Sequence, residues 1–176
     1  LFNTLNSIAS LISTRPETAE KAVEDLSELF RASLKESTGP TCVADELRLT
    51  RLYLDIEKLR LGERLQVNWG VDESALAEPM PALVLQPLVE NAVYHGISRL
   101  PAGGCVDISV RREDQAVCVT VRNPVPRDLA ASPGHSMGLD SVRQRMQAAF
   151  GPGTLLTAKP LDDTFLVELQ YRPAAS

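Results

Sequence analysis

The fold of this chain is decided by one stretch, which reads Leu83-Val84-Leu85-Gln86-Pro87-Leu88-Val89-Glu90-Asn91-Ala92-Val93-Tyr94-His95-Gly96. Its apolar residues recur every three or four positions, which predicts an amphipathic helix with a buried face. Four residues share a neighbouring face: Pro87, Asn91, Tyr94 and His95. An asparagine there offers a neutral hard oxygen, which suits a Mg²⁺ ion held mainly by substrate phosphates. The structural alternative makes Asn91 a satisfied rim residue and His95 part of the helix cap before Gly96.

Short segments of alternating apolar and polar residues surround this helix, which we predict over residues 81–98. The alternation predicts strands near 65–69, 106–110, 117–121, 154–158 and 165–169, and a further helix covers 139–150. Strands bounded by turn residues, with helices between them, indicate an α+β sandwich in which a mixed sheet carries helices on one face.

The chain before residue 63 is helical in pattern and contains three predicted helices. The first carries an apolar stripe made of Leu1, Leu5, Ile8, Leu11 and Ile12. The second begins at Pro16, ends before Gly39-Pro40, and carries Val23, Leu26, Phe30 and Leu34. The third, over 44–61, has two stripes: Leu49, Leu52, Ile56 and Leu59, and beside them Leu47, Leu54 and Leu61. Two stripes on one helix predict burial on two sides, as in a helical bundle or a dimer.

The composition of the 176 residues excludes several classes of protein. The 18 Lys+Arg against 23 Asp+Glu give a net charge of −5, which argues against nucleic acid as the main partner. The longest apolar stretch, near 83–89, is too short to span a bilayer. Cys42, Cys105 and Cys118 are odd in number and widely spaced, so neither a disulfide framework nor a Cys-x-x-Cys metal site is expected.

A second motif with possible chemistry reads Ser136-Met137-Gly138-Leu139-Asp140. A glycine here opens a helix directly after the loop 124–135, so free backbone N–H groups and the helix dipole are available to a phosphate. Arg143 and Arg145 would add charged hydrogen bonds. The alternative is an ordinary loop-to-helix junction with solvated arginines.

Taken in this order, the two motifs resemble the ATP-binding domain shared by histidine kinases, gyrase-type ATPases and Hsp90, the Bergerat-type (GHKL) fold. The opening, Leu1-Phe2-Asn3-Thr4-Leu5-Asn6, looks like the tail of the signature of the LytS/YehU-type sensor histidine kinases. The third helix matches that family at Glu46-Leu47, Tyr53-Leu54, Glu57 and Arg60-Leu61. Residues 85–92 with His95-Gly96 match its nucleotide box. The resemblance covers essentially the whole chain, with the AlgZ-like regulators as the nearest branch.

The resemblance implies a helical dimerisation and histidine-phosphotransfer segment over 1–62 and a catalytic ATP-binding domain over 63–176. ATP and Mg²⁺ would be the cofactors, and the γ-phosphate would pass to a histidine and then to an aspartate of a response regulator. The chain would form a homodimer through its N-terminal helices. It would be the cytoplasmic domain of an inner-membrane-anchored bacterial protein, without membrane or nucleic-acid contacts of its own.

The family's functional positions carry over residue by residue. Asn91 would be the Mg²⁺ ligand, and Tyr94 and His95 would lie near the phosphates. The lid hinge would lie at Gly138-Leu139, with Arg143 near the phosphate tail. The acidic position of the family falls on Glu90, to which we assign a catalytic role of undefined kind.

The family's phosphoacceptor histidine is missing from these residues. In the signature it stands two positions before the residue that matches Leu1, and the N-terminus is expected to lie upstream of this residue. The only histidines are His95, in the nucleotide box, and His135, in the loop. We therefore expect this chain to bind nucleotide without phosphorylating itself at the usual site.

The adenine-reading motif departs from the family pattern. Asn123 stands where such domains have the aspartate of an Asp-x-Gly motif, and Val125 replaces the glycine. Asn123 Oδ1 is able to accept from the adenine amino group, but its Nδ2 is also able to donate to a guanine carbonyl. Weaker adenine selectivity is therefore expected. Alternatively, Asn123 only forms a strand-end turn before Pro124.

ATP hydrolysis is expected to be slow. Related ATPases carry a glutamate four residues before the Mg²⁺ asparagine, and here that position is Pro87, which is not a base. Glu90 projects about 100° away from Asn91 around the helix. Two other functions remain open. A silent dimeric interaction module is favoured by the altered adenine motif, and a gyrase-type ATPase is disfavoured by Pro87.

Overall fold

A computed structural model of the chain describes residues 2–34, 41–126 and 137–173. Three helices come first: α1 (Phe2–Leu11), α2 (Pro16–Leu34) and α3 (Val43–Leu61). Helix α4 (Leu85–Asn91) continues through a π-helical turn (Ala92–Gly96) and a 3₁₀ turn (Ile97–Arg99), and α5 is Met137–Phe150. The strands are β1 (Leu65–Val71), β2 (Gly104–Glu113), β3 (Ala116–Pro124), β4 (Leu155–Leu161) and β5 (Thr164–Tyr171).

The five strands form one sheet in the order β1-β2-β3-β5-β4. β1 and β2 pair in parallel, with α4 in the crossover between them, and every other pair is antiparallel. Val106, Ile108 and Val110 of β2 are buried in the core formed with the helices, whereas Asp107 and Arg111 on the other face of the strand are exposed. The predicted α+β fold, a mixed sheet covered by helices on one face, is confirmed.

Helix α3 is buried on two sides, as its two stripes predicted. Leu47, Leu54 and Leu61 belong to the main core beneath the sheet. Leu49 and Ile56 form a separate cluster that includes a buried leucine of α2. Helix α3 contributes to both the helical layer and the sandwich core. The predicted domain boundary between residues 62 and 63 therefore stays a prediction.

The stripes predicted for α1 and α2 are only partly buried. The inward positions are Ile8 on α1 and Ala19 and Ala22 on α2, whose small side chains let the helices approach closely. Four members of the stripes are exposed: Leu5 by 48%, Ile12 by 63%, Val23 by 50% and Phe30 by 43%. Each of these stripes is therefore only partly covered by the described part of the chain. Within the described residues, no helix combines the length and hydropathy needed to cross a membrane.

Helix α4 begins at Leu85 and not at residue 81, which corrects the predicted start. Leu83 has φ +57°, a left-handed backbone conformation that a helix cannot contain. Pro87 is the third residue of the helix, where the missing N–H has no acceptor within the helix in any case. The Gly39-Pro40 stop predicted for the second helix lies outside the described residues.

The three cysteines are free and partly buried. Burial is the main cause that raises the pKa of the Cys105 and Cys118 thiols above their ordinary value. Both are therefore thiols and not reactive thiolates at neutral pH.

Candidate functional site

Asn91 lies where α4 passes into the π-helical turn, and turns of this kind are frequent at functional sites. Its side chain is only partly buried. None of the hydrogen bonds described within 2–34, 41–126 and 137–173 uses its carboxamide. The oxygen is thus available as a ligand. The same three ranges contain no cluster of three or more His, Cys, Asp or Glu that would hold a metal ion on its own.

Tyr94 and His95 extend from the π-helical turn into solvent. Their rings meet edge to face with centroids 4.9 Å apart, and the Arg99 guanidinium lies 5.9 Å from the Tyr94 ring centroid. Arg99 was missed by sequence reasoning. The sequence signal that could have identified Arg99 is a basic residue within about one turn of His95-Gly96.

The π-helical turn and the end of β3 are in direct contact. A Cβ atom at Gly96 would overlap Asn123 Nδ2 and lie 2.6 Å from the Pro124 carbonyl oxygen, so only glycine allows this approach. Asn123 itself is 2% exposed. The structure therefore brings together the nucleotide-box stretch and the altered adenine motif, which are well separated in sequence.

The Asn123 side chain is oriented by its neighbour. Its Nδ2 donates to the Pro124 carbonyl oxygen at 2.9 Å, a contact that only the amide nitrogen is able to make. Oδ1 is the hydrogen-bond acceptor of this side chain. The expectation of weak adenine selectivity depended on an available Nδ2 donor; this hydrogen bond uses one of its two N–H groups, so the expectation stays a prediction.

Glu90 faces α3. Its carboxylate accepts a hydrogen bond from Gln86 Nε2 at 2.7 Å. Burial raises the pKa of the Tyr53 hydroxyl on α3, and the charges of Glu57 and Glu90 raise it further. The contact between α4 and α3 is therefore polar on this side. A catalytic role for Glu90 stays a prediction.

Helix α5 packs against α4. Gly138 is partly buried at its start, and Leu139 is buried. Arg143 pairs with Asp140 at 2.7 Å, with 43% of its side chain exposed. Arg145 was expected near a phosphate at the start of α5, but its Nη1 donates to the Ala82 carbonyl oxygen at 3.2 Å, because it lies two turns along the helix and reaches the chain before α4. Ser136 and His135 lie outside the described residues.

The protonation of His95 gives a first test. Burial, and after it the positive charge of Arg99, lower the pKa of the imidazole below its ordinary 6.5, so it is neutral at pH 7. Since the unfolded chain binds this proton more tightly, the folded state loses stability as the pH falls from 6.5 through the lowered pKa.

An NMR titration of the imidazole protons should place the pKa of His95 below 6.5, and Arg99→Gln should raise it. The variant His135→Gln removes the signals of the other histidine and settles the assignment. A His95 pKa at or above 6.5 in the free protein would contradict this description of the site.

Comparison with known proteins places the chain. The histidine kinase family matches residues 1–65. Sensor histidine kinase BtsS of Escherichia coli (strain K12) is 37% identical over 151 residues, which cover 86% of this chain and 27% of BtsS. Sensor histidine kinase YpdA of the same strain is 34% identical over 188 residues, covering 100% of this chain and 33% of YpdA. Sensor protein LytS of Oceanobacillus iheyensis is 29% identical, covering 98% of this chain and 32% of LytS. The chain thus spans about a quarter to a third of these relatives.

Solved structures agree on the fold. The catalytic domain of histidine kinase ThkA superposes with a TM-score of 0.57 at 17% identity, covering 77% of this chain and 96% of that domain. ThkA in complex with the response regulator protein TrrA gives a TM-score of 0.53 at 16% identity, and the match covers 89% of this chain and 49% of that chain. Sequence and fold therefore agree: the chain is similar along most of its length to sensor histidine kinases, LytS among them, and it has the fold of histidine kinase catalytic domains.

Proposed function

We propose that this chain is the ATP-binding catalytic core of a two-component sensor histidine kinase. In the whole protein it would transfer the γ-phosphoryl group of ATP to a histidine, and from there to an aspartate of a response regulator. The observation that supports this most is the contact at Gly96, which holds the Asn91-bearing turn against the buried Asn123. The carboxamide oxygen of Asn91, which would bind a cation, and that of Asn123, which would bind a nucleobase, thereby lie on adjoining segments.

Asn91 and Asn123 fit the two ends of a nucleotide. The Asn91 carboxamide oxygen is a neutral hard ligand, and it suits Mg²⁺ that retains waters and phosphate oxygens as its other ligands. Asn123 Oδ1 would accept from the adenine amino group, while its Nδ2 is held by the Pro124 carbonyl. This orientation favours the adenine amino group at Oδ1, while the second Nδ2 hydrogen still allows a hydrogen bond to a guanine carbonyl, so the selectivity for adenine would be modest.

The remaining site residues would surround the phosphates. Tyr94 and His95 are exposed at the π-helical turn, and a neutral His95 donates or accepts without adding charge. Gly138 and Leu139 would form the hinge of a lid. Arg143 would exchange its exposed pairing with Asp140 for a phosphate oxygen, since a charged pair in water is weak.

The chain would keep its nucleotide intact. Pro87 occupies the position from which a glutamate would activate water, and Glu90 is engaged with Gln86 on the α3 side. Bound Mg-ATP supplies an activated phosphoryl group, and these residues offer no base for transferring it to water. With His95 and His135 as its only histidines, the chain would bind ATP without phosphorylating a residue of α1–α3.

Residues 1–62 would form the dimer and 63–176 the nucleotide-binding domain. Helix α2 exposes two apolar side chains seven residues apart, Val23 and Phe30. This spacing is typical of a seam between helices of two chains. A response-regulator receiver domain would be the phosphorylation partner, and the complex of ThkA with TrrA is a structure of such a pair. The chain would be the cytoplasmic part of an inner-membrane-anchored protein.

A second candidate function is a nucleotide-independent dimeric interaction module. The observation that favours it is Asn123 in the place of the family's adenine-reading aspartate. An amide accepts a weaker hydrogen bond than a carboxylate does, so ATP binding is the property that separates the two candidates.

Calorimetric titration with ATP, with and without Mg²⁺, tests the proposal. The chain should bind ATP in a Mg²⁺-dependent manner, and Asn91→Ala should weaken Mg-ATP binding by about tenfold or more, since a metal ligand is lost. The matched control is Asn68→Ala, which removes an asparagine that bonds Asp107 on β1 and β2. Absence of binding at millimolar ATP would support the interaction module instead.

Light scattering coupled to size exclusion tests the dimer. The chain should elute as a dimer, and Phe30→Glu should convert it to a monomer, because a charge in an apolar seam is left unpaired. Leu155→Glu is the matched control, since Leu155 is 58% exposed on β4, away from α1 and α2. A monomeric parent chain, or a dimer that Phe30→Glu leaves intact, would contradict this interface.

A further inference from the structure

Glu46 of α3 is a buried carboxylate that contacts the start of α4. It is 1% exposed. Its Oε1 accepts from the Leu83 N–H at 2.8 Å, and its Oε2 accepts from the N–H groups of Val84 at 2.7 Å and Leu85 at 2.8 Å. The N–H groups of Val84 and Leu85 are among those that the start of a helix leaves without a backbone partner, and Leu83 directly precedes them. A side chain 37 to 39 residues earlier therefore caps α4.

The segment that Glu46 holds is a strained one. Leu83 has φ +57°, which a branched side chain such as leucine rarely adopts. Such a conformation persists only where the surroundings fix it. Here the Glu46 carboxylate fixes it, and the Arg145 guanidinium binds the preceding carbonyl oxygen of Ala82.

The buried carboxylate of Glu46 is subject to opposing effects from its surroundings. Burial raises the pKa of Glu46 above its ordinary value, while the three backbone N–H groups and the charge of Arg145 lower it. A carboxylate oxygen accepts from every side, whereas a glutamine would direct an NH₂ group at one or two N–H donors. The site is therefore specific for an acceptor-only side chain.

Helix α3 is attached to α4 at its other end as well. Arg60 Nη2 donates to Ser98 Oγ at 3.0 Å, just beyond the π-helical turn, and Arg60 also pairs with Glu57. On its opposite side, α3 packs Leu49 and Ile56 against α2. Any shift of α3 that originates in the first two helices therefore acts on both ends of the helix that carries Asn91.

We propose that Glu46 is a positioning residue for the nucleotide site and that the placement of α3, acting through this cap, sets the affinity for Mg-ATP. This inference rests on the proposed function. Withdrawal of the carboxylate releases the turn at Leu83 and lets α4 shift, which displaces Asn91 relative to Asn123. By linkage, bound Mg-ATP favours the capped position of α3.

The test compares Glu46→Gln with Thr50→Val. Thr50 is fully buried one turn further along α3, and its hydroxyl bonds only the Glu46 carbonyl within the same helix. Both variants lose buried hydrogen bonds of α3, but only Glu46→Gln removes the cap. Calorimetry at a temperature where urea unfolding shows each to be folded should give Mg-ATP binding about tenfold weaker for Glu46→Gln and within about twofold of the parent for Thr50→Val.

The single tryptophan supplies a second readout that a purely structural role would not move. Trp69 on β1 lies under the Arg51 guanidinium of α3, 4.2 Å from the ring centroid, so its emission reports on α3. Saturating Mg-ATP should shift this emission in the parent chain and in Thr50→Val, but not in Glu46→Gln. The variant Arg51→Ala should abolish the shift and thereby validate the reporter.

The outcomes separate the two proposals. If the parent chain fails to bind Mg-ATP, the proposed function fails and this inference falls with it. If the parent binds and Glu46→Gln binds equally well, only the role of Glu46 is overturned. If Glu46→Gln does not fold, the Trp69 emission of the parent chain is the deciding measurement. An emission that stays unchanged at saturating Mg-ATP overturns the coupling between α3 and the nucleotide site. A shift that Arg51→Ala abolishes supports this coupling.

Discussion

The arrangement of this molecule depends on a carboxylate in the core with three backbone N–H groups directed at it. An unpaired buried charge would cost several kcal/mol. Glu46 avoids this because the start of α4 has N–H groups that need an acceptor, at the same place where Leu83 adopts a left-handed conformation that costs about 1–3 kcal/mol. Two unfavourable features thereby stabilise each other. The direction in which α4 leaves this point determines where Asn91 lies.

The second determinant is the close packing at the far end of α4. Gly96 lets the π-helical turn lie against Asn123, and the Pro124 carbonyl holds the Asn123 amide group in one orientation. Helix α3 runs beside α4 and joins both ends of it, while its other face packs on α2. The proposed site and the helical layer therefore share one structural element. In a sensor kinase, such an element would carry conformational change from the helices to the nucleotide.

Much of the fold could be predicted because it is local in origin. Period-two alternation located all five strands, and the double stripe of α3 anticipated its burial on two sides. The start of α4 could not be predicted, since its cap comes from Glu46 on another helix. The packing of α1 and α2 could not be predicted, because periodicity identifies apolar positions but not which of them meet a neighbour: small Ala19 and Ala22 face inward, and large Phe30 faces out.

The helical pattern drew attention to Asn91 and the family resemblance to Asn123, and their roles stay predictions. The contacts between them could not be predicted, because the hydrogen bond from Asn123 to Pro124 depends on backbone conformation at the end of β3. The most direct measurement is a ¹⁵N NMR titration with Mg-ATP that follows side-chain amides. The account predicts that the NH₂ signals of Asn91 and Asn123 shift together and saturate together, with the Asn68 signals unchanged. Saturable shifts that leave both Asn91 and Asn123 unmoved, or no shifts at millimolar Mg-ATP, would contradict it.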